Sequence, residues 1–155
     1  MSFIIDKTIE INAPAEVVWE VLTDLPRYGE WNPFCIECVS TLKPGEAINM
    51  KVKLGSKLQA ANEVMLEFVP KTRFAYRMKP VPPGALVSFR SHELESLGAN
   101  RSRYHSHFEL KGWLMPLVRG LMGRHLETGF SGMTDGIQRR AEQLGAQRQD
   151  NSPPP

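Results

Sequence analysis

The stretch Leu114–Leu144, LMPLVRGLMGRHLETGFSGMTDGIQRRAEQL, is the one segment long and periodic enough for a helix of many turns. Val118, Met122, Leu126, Phe130, Met133, Ile137, Ala141 and Leu144 step by three or four residues, which places them on one helical stripe. Leu114, Leu117 and Leu121 widen that stripe in the first turns, while Arg119, Arg124, Glu127, Asp135, Arg139, Arg140 and Glu142 fall off it. Gly120, Gly123, Gly129, Gly132 and Gly136 interrupt the segment. Each costs a helix interior about 0.5–1 kcal/mol relative to alanine, so packing rather than propensity must hold this helix. Their missing side chains let the helix lie close to a sheet, or leave room beside it for a cavity.

Working back toward the N-terminus, 34–111 reads as strand and turn. Cys35–Leu42, Ile48–Leu54, Leu58–Val69, Phe74–Met78, Leu86–Leu97 and Arg101–Lys111 carry the alternation of half-buried strands. Turns fall at Lys43-Pro-Gly-Glu, Gly55-Ser56, Pro70-Lys71 and Gly98-Ala99-Asn100, and a loop at Lys79-Pro-Val-Pro-Pro-Gly-Ala. On Leu58–Val69 the apolar face reads as Val64, Leu66 and Phe68. Ahead of this run stand a first strand, Phe3–Ile11, and two short helices. The first is capped by Asn12 or Ala13 with Pro14 at its first position and an inner face of Val17, Val18, Val21 and Leu22. The second spans Asp24 to about Trp31 and ends where Pro33 forces Asn32 into an extended conformation. An antiparallel meander, apolar on one face, must cover that face, and the long helix is the only element available. The class is therefore α+β: a curled antiparallel sheet of about seven strands around a long C-terminal helix. The domain is expected over 1–145, with 146–155 (GAQRQDNSPPP from Gly145) a disordered polar tail.

The 155 residues carry nineteen basic and seventeen acidic side chains, a net +2 that argues against a nucleic-acid partner or an anionic membrane. No apolar run approaches the roughly 20 residues of a membrane span, so stable membrane insertion is not expected. The first residues show no secretory pattern, and the expected location is cytoplasmic. No cofactor is expected, and the oligomeric state stays open, a dimer included. Cys35 and Cys38 form a CxxC within a strand, where positions three apart face opposite ways, so both are expected reduced and structural.

The segments Asn12–Phe34, NAPAEVVWEVLTDLPRYGEWNPF, and His107–Val118, HFELKGWLMPLV, resemble the START-like helix-grip (SRPBCC) superfamily. Its bacterial branch is labelled polyketide cyclase/dehydrase and lipid transport. The resemblance extends to about residue 144 and is specific for fold rather than function. It implies a deep cavity between sheet and long helix, used for sterols, lipids, aromatic polyketides or other apolar molecules, and fold analogy does not choose among them.

Candidate chemistry lies on the last two strands. Phe108 and Leu110 set the inner face of Arg101–Lys111, which adds Tyr104 and Ser106 to the interior and turns His105 and His107 outward. An H-x-H pair can hold a metal, but no acidic residue or third histidine is spaced along the chain to join it, so no metal site is expected. Ser88, Arg90, His92 and Leu94 share a face that Leu94 marks as interior, although Val87 and Phe89 on the other side leave its direction open. His125 lies beside the helical stripe, within reach of a cavity mouth. The sequence holds no nucleophile motif, phosphate loop or HExxH. Together these features point to binding of an apolar, ring-containing small molecule or a lipid by Trp31, Phe34, Met50, Tyr76, Tyr104, Phe108 and Met122. Arg90, His92 and Ser106 are the polar contacts. The alternatives are a cyclase or dehydratase with His92 as acid/base, and a protein-interaction module of the chaperone-ATPase-activator type.

Overall fold

The computed structural model describes residues 1–79 and 81–154. Pro80 of the expected proline-rich loop and Pro155 of the expected tail lie outside the described residues. Strand β1 (Ser2–Ile11) is followed by α1 (Ala15–Thr23), a 3₁₀ turn (Leu25–Arg27) and α2 (Tyr28–Trp31). Six further strands come next: β2 (Cys35–Ser40), β3 (Ala47–Leu54), β4 (Lys57–Val69), β5 (Arg73–Met78), β6 (Val87–Gly98) and β7 (Arg101–Lys111). Helix α3 (Met115–Asp150) closes the chain. The strands form one seven-stranded antiparallel sheet in the order β1-β7-β6-β5-β4-β3-β2, so the first strand joins the last across the whole chain. This is the expected helix grip: the sheet curls around α3, and α1 buries Val17, Val18, Val21 and Leu22 as its spacing requires.

The stripe of α3 buries Phe130, Met133, Ile137 and Ala141 and half-buries Val118, Met122, Leu126 and Leu144. Leu117 and Leu121 do not widen it; they stand 57% and 71% exposed, on the side of the helix away from Val118 and Met122. The helix also runs on to Asp150, through residues expected to be a disordered tail. Gly145 packs on Ala13 and Pro14, Arg148 pairs with Glu20 and Gln149 Nε2 donates to Asn100 Oδ1, tertiary contacts that local composition does not display.

The glycines of α3 serve close approach. A Cβ at Gly129 would lie 2.2 Å from the Phe34 ring, and one at Gly136 would lie 2.5 Å from the Trp31 carbonyl oxygen. These positions let the chain between α2 and β2 cross the helix. Gly120, by contrast, faces open space. Gly120→Ala is therefore expected to stabilise the protein by about 0.5–1 kcal/mol through helix propensity. Gly136→Ala is expected to destabilise it by about 1–3 kcal/mol despite the same gain, since a backbone carbonyl has nowhere to go. Urea melts of the two variants check this; a stabilised Gly136→Ala would rule out the contact.

Two bulges change which side chains face inward. A register shift between Cys35 and Glu37 puts both Cys35 and Cys38 in the core, on one face rather than on opposite faces. Both are free thiols. A second shift between Met65 and Glu67 turns Ala61, Glu63 and Met65 inward and leaves Leu66 39% exposed, so of the expected Val64–Leu66–Phe68 face only Phe68 packs on the core. Among the described residues no helix is long and apolar enough to cross a membrane.

Candidate functional site

The core has a solid end and a hollow end. At the solid end, under α1, Trp19 packs edge-on against Phe74 at 5.9 Å and tilts onto Phe68 at 5.6 Å, and His92 stacks on Phe74 at 4.6 Å. At the hollow end the sheet and the N-terminal half of α3 part to leave a cavity of about 440 Å³. That is within the range of small-molecule sites, roughly 300–1,000 Å³. Its walls are Met50, Val52 and Leu54 from β3, Ala61 from β4, Tyr76 and Met78 from β5, Phe108 and Leu110 from β7, and Val118, Met122, Leu126 and Phe130 from α3. Phe34 closes the wall beside Phe130, with ring centroids 4.9 Å apart.

The lining is not wholly apolar: Gln59, Asn62, Lys79 and Ser88 also contribute, and two charged side chains, Arg90 and Glu63, bring buried polar atoms to it. Arg90 on β6 is buried; its Nη1 donates to Ser106 Oγ at 2.7 Å and to the His107 carbonyl at 3.1 Å, and Nη2 approaches Met133 Sδ at 3.8 Å. Its guanidinium carbon lies 4.6 Å from the centroid of the Phe130 ring. Among the described residues no carboxylate pairs with it, and its Nε has no partner. Glu63 on β4 lines the same cavity with Oε2 buried and unpartnered. Burial pushes the Glu63 carboxyl up to about 7, against the opposing charge of Arg90. An acid whose charged form is disfavoured and a buried cation in one mainly apolar cavity are polar groups that a ligand can satisfy. Glu63 is absent from the residues expected by sequence, because Val64, Leu66 and Phe68 set the expected phase of its strand.

Of the expected site residues, Phe34, Met50, Tyr76, Arg90, Phe108 and Met122 line the cavity. Trp31, His92, Tyr104 and Ser106 do not. Trp31 packs edge-on against Tyr28 at 5.0 Å and over Gly136. Ser106 lies behind Arg90 as its acceptor. His92 does face inward, which settles the direction left open by Val87 and Phe89, but it sits in the solid end. There Nδ1 is 2.6 Å from the Tyr104 hydroxyl and Nε2 is 3.4 Å from that of Tyr76. Burial, reinforced by the Arg90 charge, holds its pKa well below the usual histidine value. A neutral, enclosed imidazole with both nitrogens engaged sits as a core histidine does, one hydrogen bond removed from the cavity through Tyr76. His125 is exposed and lies against Gly55 at the β3–β4 turn.

On the outer face His105 and His107 point away from the cavity, as their spacing requires. The expectation that no acidic residue joins them is wrong. The β1–β7 register sets Asp6 opposite His107, and Asp6 Oδ1 lies 2.7 Å from both His105 Nε2 and His107 Nδ1. The hydrogen bond from His107, ahead of that from His105, holds the Asp6 carboxyl below its usual range.

This architecture has solved counterparts. The chain is similar to a START superfamily protein from Mycobacterium smegmatis, with TM-score 0.69 and 17% identity over 91% of this chain and 98% of that one. It is similar to the Zhui aromatase/cyclase from Streptomyces sp. R1128, with TM-score 0.71 and 16% identity over 96% of each chain. It is also similar to norcoclaurine synthase from Thalictrum flavum, solved with dopamine and hydroxybenzaldehyde, with TM-score 0.68 and 12% identity over 99% of this chain and 90% of that one. At these identities the likeness speaks for the fold alone. A sequence comparison with curated proteins gives no match. The model of the family described as polyketide cyclase / dehydrase and lipid transport matches residues 2–142, from the first strand through most of the gripped helix, and the chain belongs to that family.

Proposed function

We propose that the protein binds an apolar, ring-containing small molecule in the cavity between sheet and helix, with the molecule's polar end against Arg90 and Glu63. The observation that carries this reading is the pair of buried atoms without a partner among the described residues, Arg90 Nε and Glu63 Oε2, in a mainly apolar cavity of about 440 Å³. Leaving such atoms bare costs about 1–3 kcal/mol each, more for charged groups, and a ligand oxygen or hydroxyl removes that cost. Aromatic rings at Phe34, Tyr76, Phe108 and Phe130 favour flat, ring-bearing ligands over flexible chains. The test is a fluorescence titration with 1-anilinonaphthalene-8-sulfonate, an apolar anion. Arg90→Met, which keeps the bulk and removes the charge, is expected to weaken binding about 10–100-fold, the loss of one charge-assisted hydrogen bond. Unchanged affinity would refute the role of Arg90.

A second reading has a specific observation behind it. A carboxyl pushed to about 7 inside a cavity suits general acid/base work at neutral pH, which makes Glu63 rather than His92 the candidate for a cyclase- or dehydratase-like proton transfer. If the protein catalyses such a step, Glu63→Gln lowers turnover about 10²–10⁴-fold while probe binding persists. A protein-interaction module of the chaperone-activator type would be favoured by a collapsed cavity, and the cavity here is open.

A further inference from the structure

Asp6, His105 and His107 lie on the convex side of the sheet, on the opposite strand face from the cavity-lining Phe108 and Leu110. Two features separate them from the ordinary surface pairs nearby, such as Glu10 with Arg101 and Arg103, and a third holds them in place. Their donor types are two imidazole nitrogens and one carboxylate oxygen, the mixture borderline divalent ions take. The three donor atoms converge on one point, all within 4.8 Å of one another. They stand on two adjacent strands paired without a break over Ser2–Ile11 and Ser102–Lys111, so the backbone under them is fixed by a continuous ladder.

We propose that Asp6 Oδ1, His105 Nε2 and His107 Nδ1 form a surface site for a divalent transition ion of the zinc class, with the remaining coordination position open to water. As they stand, both imidazoles direct an N–H at the same carboxylate oxygen, and a cation takes the place of those hydrogens. Each imidazole then carries its proton on the other nitrogen. For His105 that nitrogen is Nδ1, 3.8 Å from Glu93 Oε2, a carboxylate placed to orient the ring as outer partners of metal-bound histidines do. Tetrahedral zinc with bonds of about 2.0–2.1 Å wants its donors about 3.3 Å apart, wider than the 2.7 Å between Asp6 Oδ1 and each imidazole nitrogen. The side chains of Asp6, His105 and His107 are 49%, 32% and 24% exposed, so small torsional changes adjust that spacing without disturbing the core.

Cobalt(II) titration of the full chain, followed by visible absorption and by displacement with zinc, tests the site. The expected result is one equivalent per chain, with affinity weakened more than about tenfold in each of Asp6→Asn, His105→Ala and His107→Ala and unchanged in His125→Ala. In the unaltered protein, zinc is expected to move the imidazole ¹⁵N resonances of His105 and His107 and leave those of His92 and His125 in place. The NMR measurement keeps the proposal falsifiable if a variant misfolds. Absence of saturable binding below about 1 mM would overturn the site and leave a carboxylate shared by two imidazoles. Binding that survives in the Asp6 and His107 variants, or disappears in His125→Ala, would overturn it as well.

Discussion

Replacing Glu63 by glutamine is expected to stabilise the protein by about 3 kcal/mol at pH 8 and by almost nothing at pH 4. The Glu63 carboxyl rises from the usual 4.5 to about 7 in the folded state, because the cavity withholds water from the ionised form more than Arg90 compensates. Below about pH 4.5 the group is protonated in both folded and unfolded chains, and folding involves no proton there. Between 4.5 and 7 the unfolded chain releases the proton while the folded chain keeps it, so stability falls as pH rises through that window. Above 7 both forms are ionised, and the accumulated loss stays constant. Glutamine has the same shape and no such titration, and every other group is common to the two proteins and cancels in the difference. Urea midpoints of both proteins at pH 4, 5.5 and 8 check the prediction. A difference that does not change with pH would mean that Glu63 is hydrated in the cavity.

Phe130→Ala is expected to destabilise the protein by about 3 kcal/mol, toward the lower end of the range of about 3–5 for a buried aromatic. The ring lies 4.9 Å from Phe34, 4.7 Å from Phe108 and 4.6 Å from the Arg90 guanidinium, so truncation removes two aromatic contacts and one cation–π contact together. The lower end applies because Phe130 also borders the cavity, and deleting it widens existing space rather than opening a sealed void. Denaturant melts decide the matter. A loss under about 1 kcal/mol would show that the three neighbours close over the gap and that Phe130 does not hold α3 to the sheet.

The element order, the gripped helix and much of the cavity wall are legible in the sequence because hydrophobic period and turn chemistry are local signals. Counting by twos succeeds on β7, where an unbroken ladder keeps Tyr104, Ser106 and Phe108 inward. It fails at Cys38 and at Leu66, because each β-bulge inserts one residue and reverses every face beyond it. Glu63 escapes notice through that failure: a glutamate beside Val64 reads as a solvent-facing residue until the register places it opposite Ile48. Asp6 escapes for another reason. It meets His107 through pairing of the first strand with the last, a contact across most of the chain that no spacing rule encodes. The end of α3 reads short because the polar segment from Gly145 on is held by Glu20 and Asn100, residues remote in sequence.

The division of the core into a packed half and an open half has a consequence for molecular selectivity. The inner end of the cavity is braced: Tyr76 and Arg90 are backed through hydrogen bonds by His92, Tyr104 and Ser106. The rim is compliant, being made of Leu54, Lys79, Leu86 and the unbranched thioether of Met122. On the proposed binding function, discrimination is graded with depth. A guest would be judged strictly on the functional group it inserts first and leniently on the width and length of its trailing part. A homologous series that varies only the outer substituent should therefore bind with nearly level affinity, whereas moving one polar atom at the leading ring should not be tolerated.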